Sequence, residues 1–334
     1  MSSKETIRLD VILLSKYGRS DGGRETWAYN FLPALVARHK HLNIRVFGFL
    51  PTGDADPSDE FTSSLSCEDR KRLRLRLFPI KKNRVPIFFQ MCWAMWRDSD
   101  RRGQQPDFSI AVGGMYERLM MAAKGYKKSC RIVWLRTILF NEKADRFPRA
   151  ILPFLRRLDI ALLRNCNRLL ANGDDIASYY GEHGLHVDVI KNGVDVARWN
   201  SGELASAVPL HVAYIGRLSM VKGIAEFLDA VQLVKEGDRA GEFVFHVIGD
   251  GSLKCKERVQ SLARQGLLKS YGAVDYRDLP DLVAGMHACV ALTWARENVG
   301  GGGTSNALME QMAAGKTILA WDNVIFRRFG RAHV

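Results

Sequence analysis

"ACVALTWARENVGGGGTSNALMEQM", residues 288–312, decides the fold class of this 334-residue chain. A short apolar run, a glycine tract and a helix-forming stretch follow one another directly. Glycine loses more conformational freedom on folding than any other residue, so four in a row need a reason. A strand that turns through glycine into a helix start offers free backbone N–H groups and the positive end of the helix dipole. The turn therefore suits an anion, approached by backbone with no side chains in the way. Thr304 or Ser305 is the expected N-cap. The bland alternative is a surface loop.

Strand and helix alternate outward from this stretch. "TILAW" (317–321) follows it as a strand. Upstream, "LHVAYIG" (210–216), "FVFHVIG" (243–249) and "LKSYGAV" (268–274) read as strands, with helices from about Val221 and Leu253 between them. "NGVDVARWNSGELASAVP" (192–209) reads as a linker. Before it lies a separate series. "IRLDVILLS" (7–15), "NIRVFGFL" (43–50), "PDFSIAV" (106–112), "RIVWL" (131–135), "RLLAN" (168–172) and "VDVI" (187–190) are apolar runs separated by helical stretches. "RLRLRLF" (72–78) alternates strictly, placing Leu73, Leu75 and Leu77 on one face. Two α/β units with parallel sheets are expected, 1–198 and 199–334.

Two motifs in the second unit fail on inspection. "AGKT" (314–317) resembles the end of a phosphate-binding P-loop, but Glu310 stands where that motif needs glycine, and Lys316 leads into a strand rather than a helix. The glycine tract also misses the dinucleotide fingerprint, because Ser305 or Asn306 falls at its third glycine. "YIGRLSMVKG" (214–223) is more informative. It sets Arg217 after a strand and Lys222 at the next helix start, the arrangement of a diphosphate clamp.

The net charge of +13 is uneven: residues 1–200 carry 34 Lys and Arg against 22 Asp and Glu, and residues 201–334 carry 15 against 14. A basic half suggests an anionic partner. No nucleic-acid module is present, so nucleic acid ranks last among candidates. Six scattered cysteines without a CxxC pair read as buried free thiols of a reducing cytoplasm. No signal peptide is visible, and the apolar runs are too short to span a bilayer. "DAD" (54–56) lies in an acidic, solvent-facing loop. His183 and His186 lack a third ligand, so no metal site is expected.

"IKNGVD" (190–195), "YIGRLSMVKG", "HVIGDGSL" (246–253), "YGAVDYRDLPDL" (271–282) and "GGTSNALMEQMAAGKTILAWD" (302–322) occur in the order and spacing of a known family. The chain resembles the retaining, nucleotide-sugar-dependent glycosyltransferases of the GT-B fold, strongly over about 185–325. "SDGGRETWAYNFL" (20–32) resembles that family's first glycine loop. The resemblance implies two Rossmann-like domains facing a cleft, with acceptor on the N-terminal side and nucleotide sugar on the C-terminal side. It implies a nucleoside diphosphate sugar as donor substrate, no further cofactor and no metal.

By the same resemblance, Arg217 and Lys222 neutralise the donor diphosphate and Glu310 binds the ribose hydroxyls. Gly302, Gly303, Thr304 and Ser305 line the sugar and phosphates, Val274 contacts the base, and Gly22 and Gly23 close over the donor. Two positions depart from the pattern. Gly302 replaces a glutamate that touches the donor sugar, and Glu297 in the longer loop is the candidate substitute. Arg136, in "WLRT", stands where many relatives have histidine near the reacting centre. After "DNVIFRRFGRAHV" (322–334) the family continues with further elements, so the C-terminal domain is expected to be incomplete.

These observations predict sugar transfer to a glycan or lipid-linked acceptor in cell-surface polysaccharide or glycolipid synthesis. The expected location is cytoplasmic, peripheral on an anionic membrane surface. "FPIKKNRVPIFFQMCWAMWRDSDRR" (78–102) and "FPRAILPFLRRLDIALLRNCNR" (147–168) mix apolar and cationic residues and are the candidate docking segments. The alternative is a catalytically impaired nucleotide-sugar-binding protein, which Gly302, Arg136 and the short C-terminus favour.

Overall fold

A computed structural model describes residues 6–17, 23–80, 89–94, 97, 105–121, 126, 128–142, 147–148, 150–199, 208–294, 305–323 and 325–327. The chain divides into two compact units, Met1–Ile190 and Lys191–Val334.

The first unit is built on seven strands: β1 (Ile7–Ile12), β2 (Leu42–Pro51), β3 (Leu73–Ile80), β4 (Phe108–Val112), β5 (Cys130–Leu135), β6 (Arg168–Ala171) and β7 (Asp188–Val189). They lie in the order β3-β2-β1-β4-β5-β6-β7, all parallel. Helices α1 (Gly23–Arg38), α2 (Met115–Met121), α3 (Leu152–Arg164) and α4 (Asp174–Gly181) belong to this unit. Because alternate residues of a strand face opposite ways, Leu9, Val11 and Leu13 pack with Trp27, Ala28, Leu32 and Val36 of α1. Ile12 and Val133 enter a second core with Met120, Met121, Ile176 and Tyr180. Leu73 is buried with Leu75 and Leu77 packed beside it, as the alternation of β3 predicts. Inside the unit, Arg118 of α2 pairs with Asp159 of α3, whose other oxygen accepts from the Tyr180 hydroxyl of α4 at 3.1 Å. Breaking such a buried pair strands a charge, so it holds the three helices in one register.

The second unit has a parallel sheet in the order β10-β9-β8-β11-β12. Its strands are β8 (Leu210–Ile215), β9 (Phe243–Ile248), β10 (Lys269–Gly272), β11 (Ala288–Ala291) and β12 (Thr317–Ala320). Its helices are α5 (Val196–Trp199), α6 (Ile224–Glu236), α7 (Leu253–Arg264), α8 (Leu279–Ala284) and α9 (Asn306–Ala313). In α6, Ile224, Phe227, Leu228 and Val231 recur at helical spacing and are all buried against the sheet.

Three local expectations are corrected. The stretch 192–209 is not all linker: α5 folds within it, and Trp199 is buried with Val283 and Ala314. The helix expected from Val221 starts at Ile224, after a 3₁₀ turn over Met220–Lys222. The cysteines are free, but only Cys255 and Cys289 are buried; Cys67 is exposed and the others are half-buried.

Candidate functional site

In an open parallel sheet, ligands sit beyond the carboxyl ends of the strands, where the strand order reverses. In the second unit that point lies between β8 and β11. The chain leaving β8 runs through Gly216, Arg217 and Leu218 into the 3₁₀ turn that carries Lys222. Gly223 follows with φ +75°, and a Cβ there would overlap Leu292, just past the end of β11, so both the backbone angle and the space require glycine. This contact binds the exits of the two central strands together. It also places Lys222 in the turn immediately before α6, whose first N–H groups have no helical carbonyl partners.

The neighbouring loop is equally close. Gly249, after β9, has φ +144°, and a Cβ on it would overlap the Gly216 carbonyl; one on Gly251 would overlap that of Leu218. Backbone hydrogen bonds join the two exits, Gly216 N–H to Ile248 O at 2.9 Å and Leu218 N–H to Asp250 O at 2.8 Å, while Gly249 N–H bonds Gly272 O at the end of β10 at 2.7 Å. The Tyr214 hydroxyl donates to the Arg217 carbonyl at 2.7 Å. The loop bearing Arg217 is thus fixed through its backbone, while its side chain is exposed and that of Lys222 half-buried.

Leaving β11, Trp294 donates its N–H to Val221 O at 2.9 Å and its Nε1–H to Glu226 Oε1 of α6 at 2.9 Å. The entry to the glycine tract is therefore tied to the helix behind Lys222. Gly22, Glu297, Gly302, Gly303 and Thr304 lie outside the described residues. Ser305 occupies the N-cap position of α9, but its side chain makes no capping hydrogen bond. The far end of α9 disposes of the P-loop resemblance. Lys316 N–H returns to Gln311 O at 3.1 Å past Gly315 at φ +67°, closing the helix, and its Nζ donates to Ala284 O at 2.7 Å.

Glu310, in α9, is buried, and burial pushes its carboxyl up to about 7 against a hydrogen bond from Tyr276 and the charge of Arg198. Val274, between β10 and Tyr276, is half-buried. Asn192 Nδ2 donates to Asn306 Oδ1 at 2.6 Å, fastening "KNGVD" to the first turn of α9.

In the first unit the strand order reverses between β1 and β4. Gly23 is the first residue of α1, so the expected glycine loop runs into a helix start. Just before it, Tyr17 is fully buried with φ +60°, a conformation uncommon for a non-glycine residue, and its carbonyl accepts from the Tyr29 hydroxyl at 2.8 Å. Arg24 Nη1 donates to Glu117 Oε1 at 3.0 Å, and Glu117 is buried at the start of α2. Arg136, after β5, sets its guanidinium 5.8 Å from the Trp27 ring centroid. Burial first, and then repulsion from Arg24, lowers its ionisation to about 10, with Glu25 opposing. The sequence singled out Arg136 and Gly23 here, but not Tyr17, Arg24, Glu25 or Glu117. The only signal for the last three was their closeness to "GG" pairs at 22–23 and 113–114.

"DAD" is exposed, with Asp56 accepting from Ser58. His183 Nδ1 lies 2.8 Å from Tyr179 O, and His186 pairs with Asp188 at 3.3 Å. Among the described residues, no group of three or more His, Cys, Asp or Glu is arranged to hold a metal ion.

Residues 209–328 match the family described as glycosyl transferases group 1. No curated protein matches the chain. Among solved structures, HepE from Anabaena in complex with UDP and glucose is 17% identical, with a TM-score of 0.66 over 98% of this chain and 84% of that one. Sucrose-phosphate synthase from Thermosynechococcus elongatus is 13% identical, with a TM-score of 0.73 over 96% and 83%. WaaG, a glycosyltransferase involved in lipopolysaccharide biosynthesis, is 14% identical, with a TM-score of 0.65 over 96% and 83%.

Proposed function

From a GT-B fold whose second unit carries a glycosyl transferases group 1 domain, we propose a glycosyltransferase that moves a sugar from a nucleoside diphosphate sugar to a glycan or lipid-linked acceptor, with retention. The observation that carries this reading is the reversal point of the second sheet. There the loop of Arg217, the turn of Lys222 and the chain entering the glycine tract are bound together at the exits of β8 and β11.

In the proposed step, the bond from the sugar's anomeric carbon to the diphosphate oxygen breaks, and its electron pair stays on the diphosphate. The acceptor oxygen bonds to the same face of that carbon, and its proton passes to the departing phosphate oxygen. Positive charge develops on the sugar and negative charge on the leaving group, so fixed cations beside the diphosphate lower the barrier. Arg217 and Lys222 fill that role. Glu310 accepts the ribose hydroxyls, Val274 meets the base, and Ser305 with the glycine tract lies along the phosphates and sugar. HepE, held with UDP and glucose, supports a donor of this class.

The acceptor side falls to the first unit; the family resemblance gives Gly22 and Gly23 a donor-binding role and Arg136 a catalytic one. Its basic balance supports work at an anionic membrane surface of the cytoplasm. Among the described residues, no helix is long and apolar enough to cross a membrane. On α3 and its N-cap, Ile151 and Phe154 are exposed large apolar residues, with Arg157 exposed one turn on and Arg164 exposed at the far end. That combination suits a surface-lying helix.

The test is calorimetry of nucleoside diphosphates against the parent, Arg217→Ala and Lys222→Ala. Each loss of a charge-assisted contact is expected to weaken binding by roughly ten- to hundredfold. Parental affinity in both variants overturns the clamp.

A further inference from the structure

Three residues far apart in sequence meet around one buried carboxyl in the second unit. Arg198 comes from α5, Tyr276 from the loop between β10 and α8, and Glu310 from α9. The Arg198 guanidinium lies 4.4 Å from the Tyr276 ring centroid, and its Nη2 donates to the Tyr276 carbonyl at 3.1 Å. Trp199, fully buried, meets the same ring edge-on at 6.0 Å. The ring is thus held by a cation and an indole from one short helix. The Tyr276 hydroxyl hydrogen-bonds the Glu310 carboxyl.

We propose that Tyr276 and Arg198 are positioning residues that hold the Glu310 carboxylate in place to accept the ribose hydroxyls of the donor. The inference rests on the donor-site reading above. A ribose diol offers two O–H donors, which an ionised carboxylate accepts on both oxygens; a protonated one presents a hydrogen of its own. Burial favours the protonated form of Glu310, and the Tyr276 hydrogen bond and the Arg198 charge oppose it. Lys316, just after α9, is turned to the Ala284 carbonyl, and Asn306 in the first turn is paired with Asn192. Tyr276 also lies two residues after Val274, so one loop would serve both base and ribose.

The test uses the full chain and calorimetry from pH 6 to 9 with UDP, GDP, ADP and dTDP, following whichever binds the parent most tightly. Tyr276→Phe keeps the ring under Arg198 and removes only the hydroxyl. It should bind about five- to tenfold more weakly than the parent at pH 7 and approach it at pH 9, as Glu310 ionises later. Arg198→Gln should behave the same way, and Arg198→Lys should recover part of the loss. Glu310→Gln should keep only the phosphate's own pH dependence. Parental affinity and pH midpoint in both Tyr276→Phe and Arg198→Gln overturn the proposal, as does an equal loss at every pH. Parental binding by Glu310→Gln overturns the donor-site reading itself, and the positioning role with it.

Discussion

Glu310 ionises near 7 in the folded chain and near 4.5 when unfolded. Between those values the folded protein keeps a proton that the unfolded chain releases, so stability falls as pH rises from about 4.5 through 7. Glu310→Gln removes that fall. It should match the parent below about pH 4 and be more stable than it at pH 8, by up to about 3 kcal/mol. Thermal unfolding across pH checks this; identical profiles would show that the carboxyl is not desolvated. Glu310 itself was singled out by the family resemblance over 302–322, not by any pattern of its own. Arg198 and Tyr276 were not: Arg198 lies in no motif, Tyr276 carries no distinguishing signal inside "YGAVDYRDLPDL", and their meeting needs α5 to fold inside a stretch that reads as linker.

At the scale of elements, most strands were legible, since short β-branched runs bounded by glycine and polar residues have few other readings. The start of α6 was not. Nothing in "SMVKGI" announces that Gly223 must adopt a left-handed conformation against Leu292, which delays the helix to Ile224. Gly223→Ala should destabilise the second unit by roughly 1–3 kcal/mol, combining overpacking with an unfavourable backbone angle. Chemical denaturation measures this, and an unchanged midpoint would show that the exits of β8 and β11 are free to part. Ser305 is at the expected N-cap position, and its side chain makes no capping hydrogen bond.

For the whole molecule, the charge imbalance was visible at once, but its placement was not. The 78–102 docking segment, including Lys81, Lys82 and Arg84, lies largely outside the described residues, whereas 147–168 resolves into α3 with Phe154 exposed. Each Lys or Arg near an anionic bilayer contributes about 1 kcal/mol, weakened by salt. Co-sedimentation with phosphatidylserine vesicles should therefore fall with rising salt. Phe154→Ser with Arg157→Glu should reduce it further while leaving nucleotide affinity intact. A protein that stays in the supernatant at low salt with these vesicles present would count against a membrane acceptor and favour a soluble one.

The seam between the chains leaving β8 and β9 carries a consequence for evolvability. A wall of backbone against backbone, with no room for a methyl group at Gly249 or Gly251, cannot be retuned by exchanging side chains. On the proposed donor-site reading, differences in sugar or base preference would fall to Val274, Tyr276 and the glycine tract. Deuterium uptake should report the same division. The amides of Gly216, Leu218 and Gly249 should exchange slowly even without nucleotide, as those of a core strand do. Rapid uptake there would show instead a seam that assembles only around its substrate.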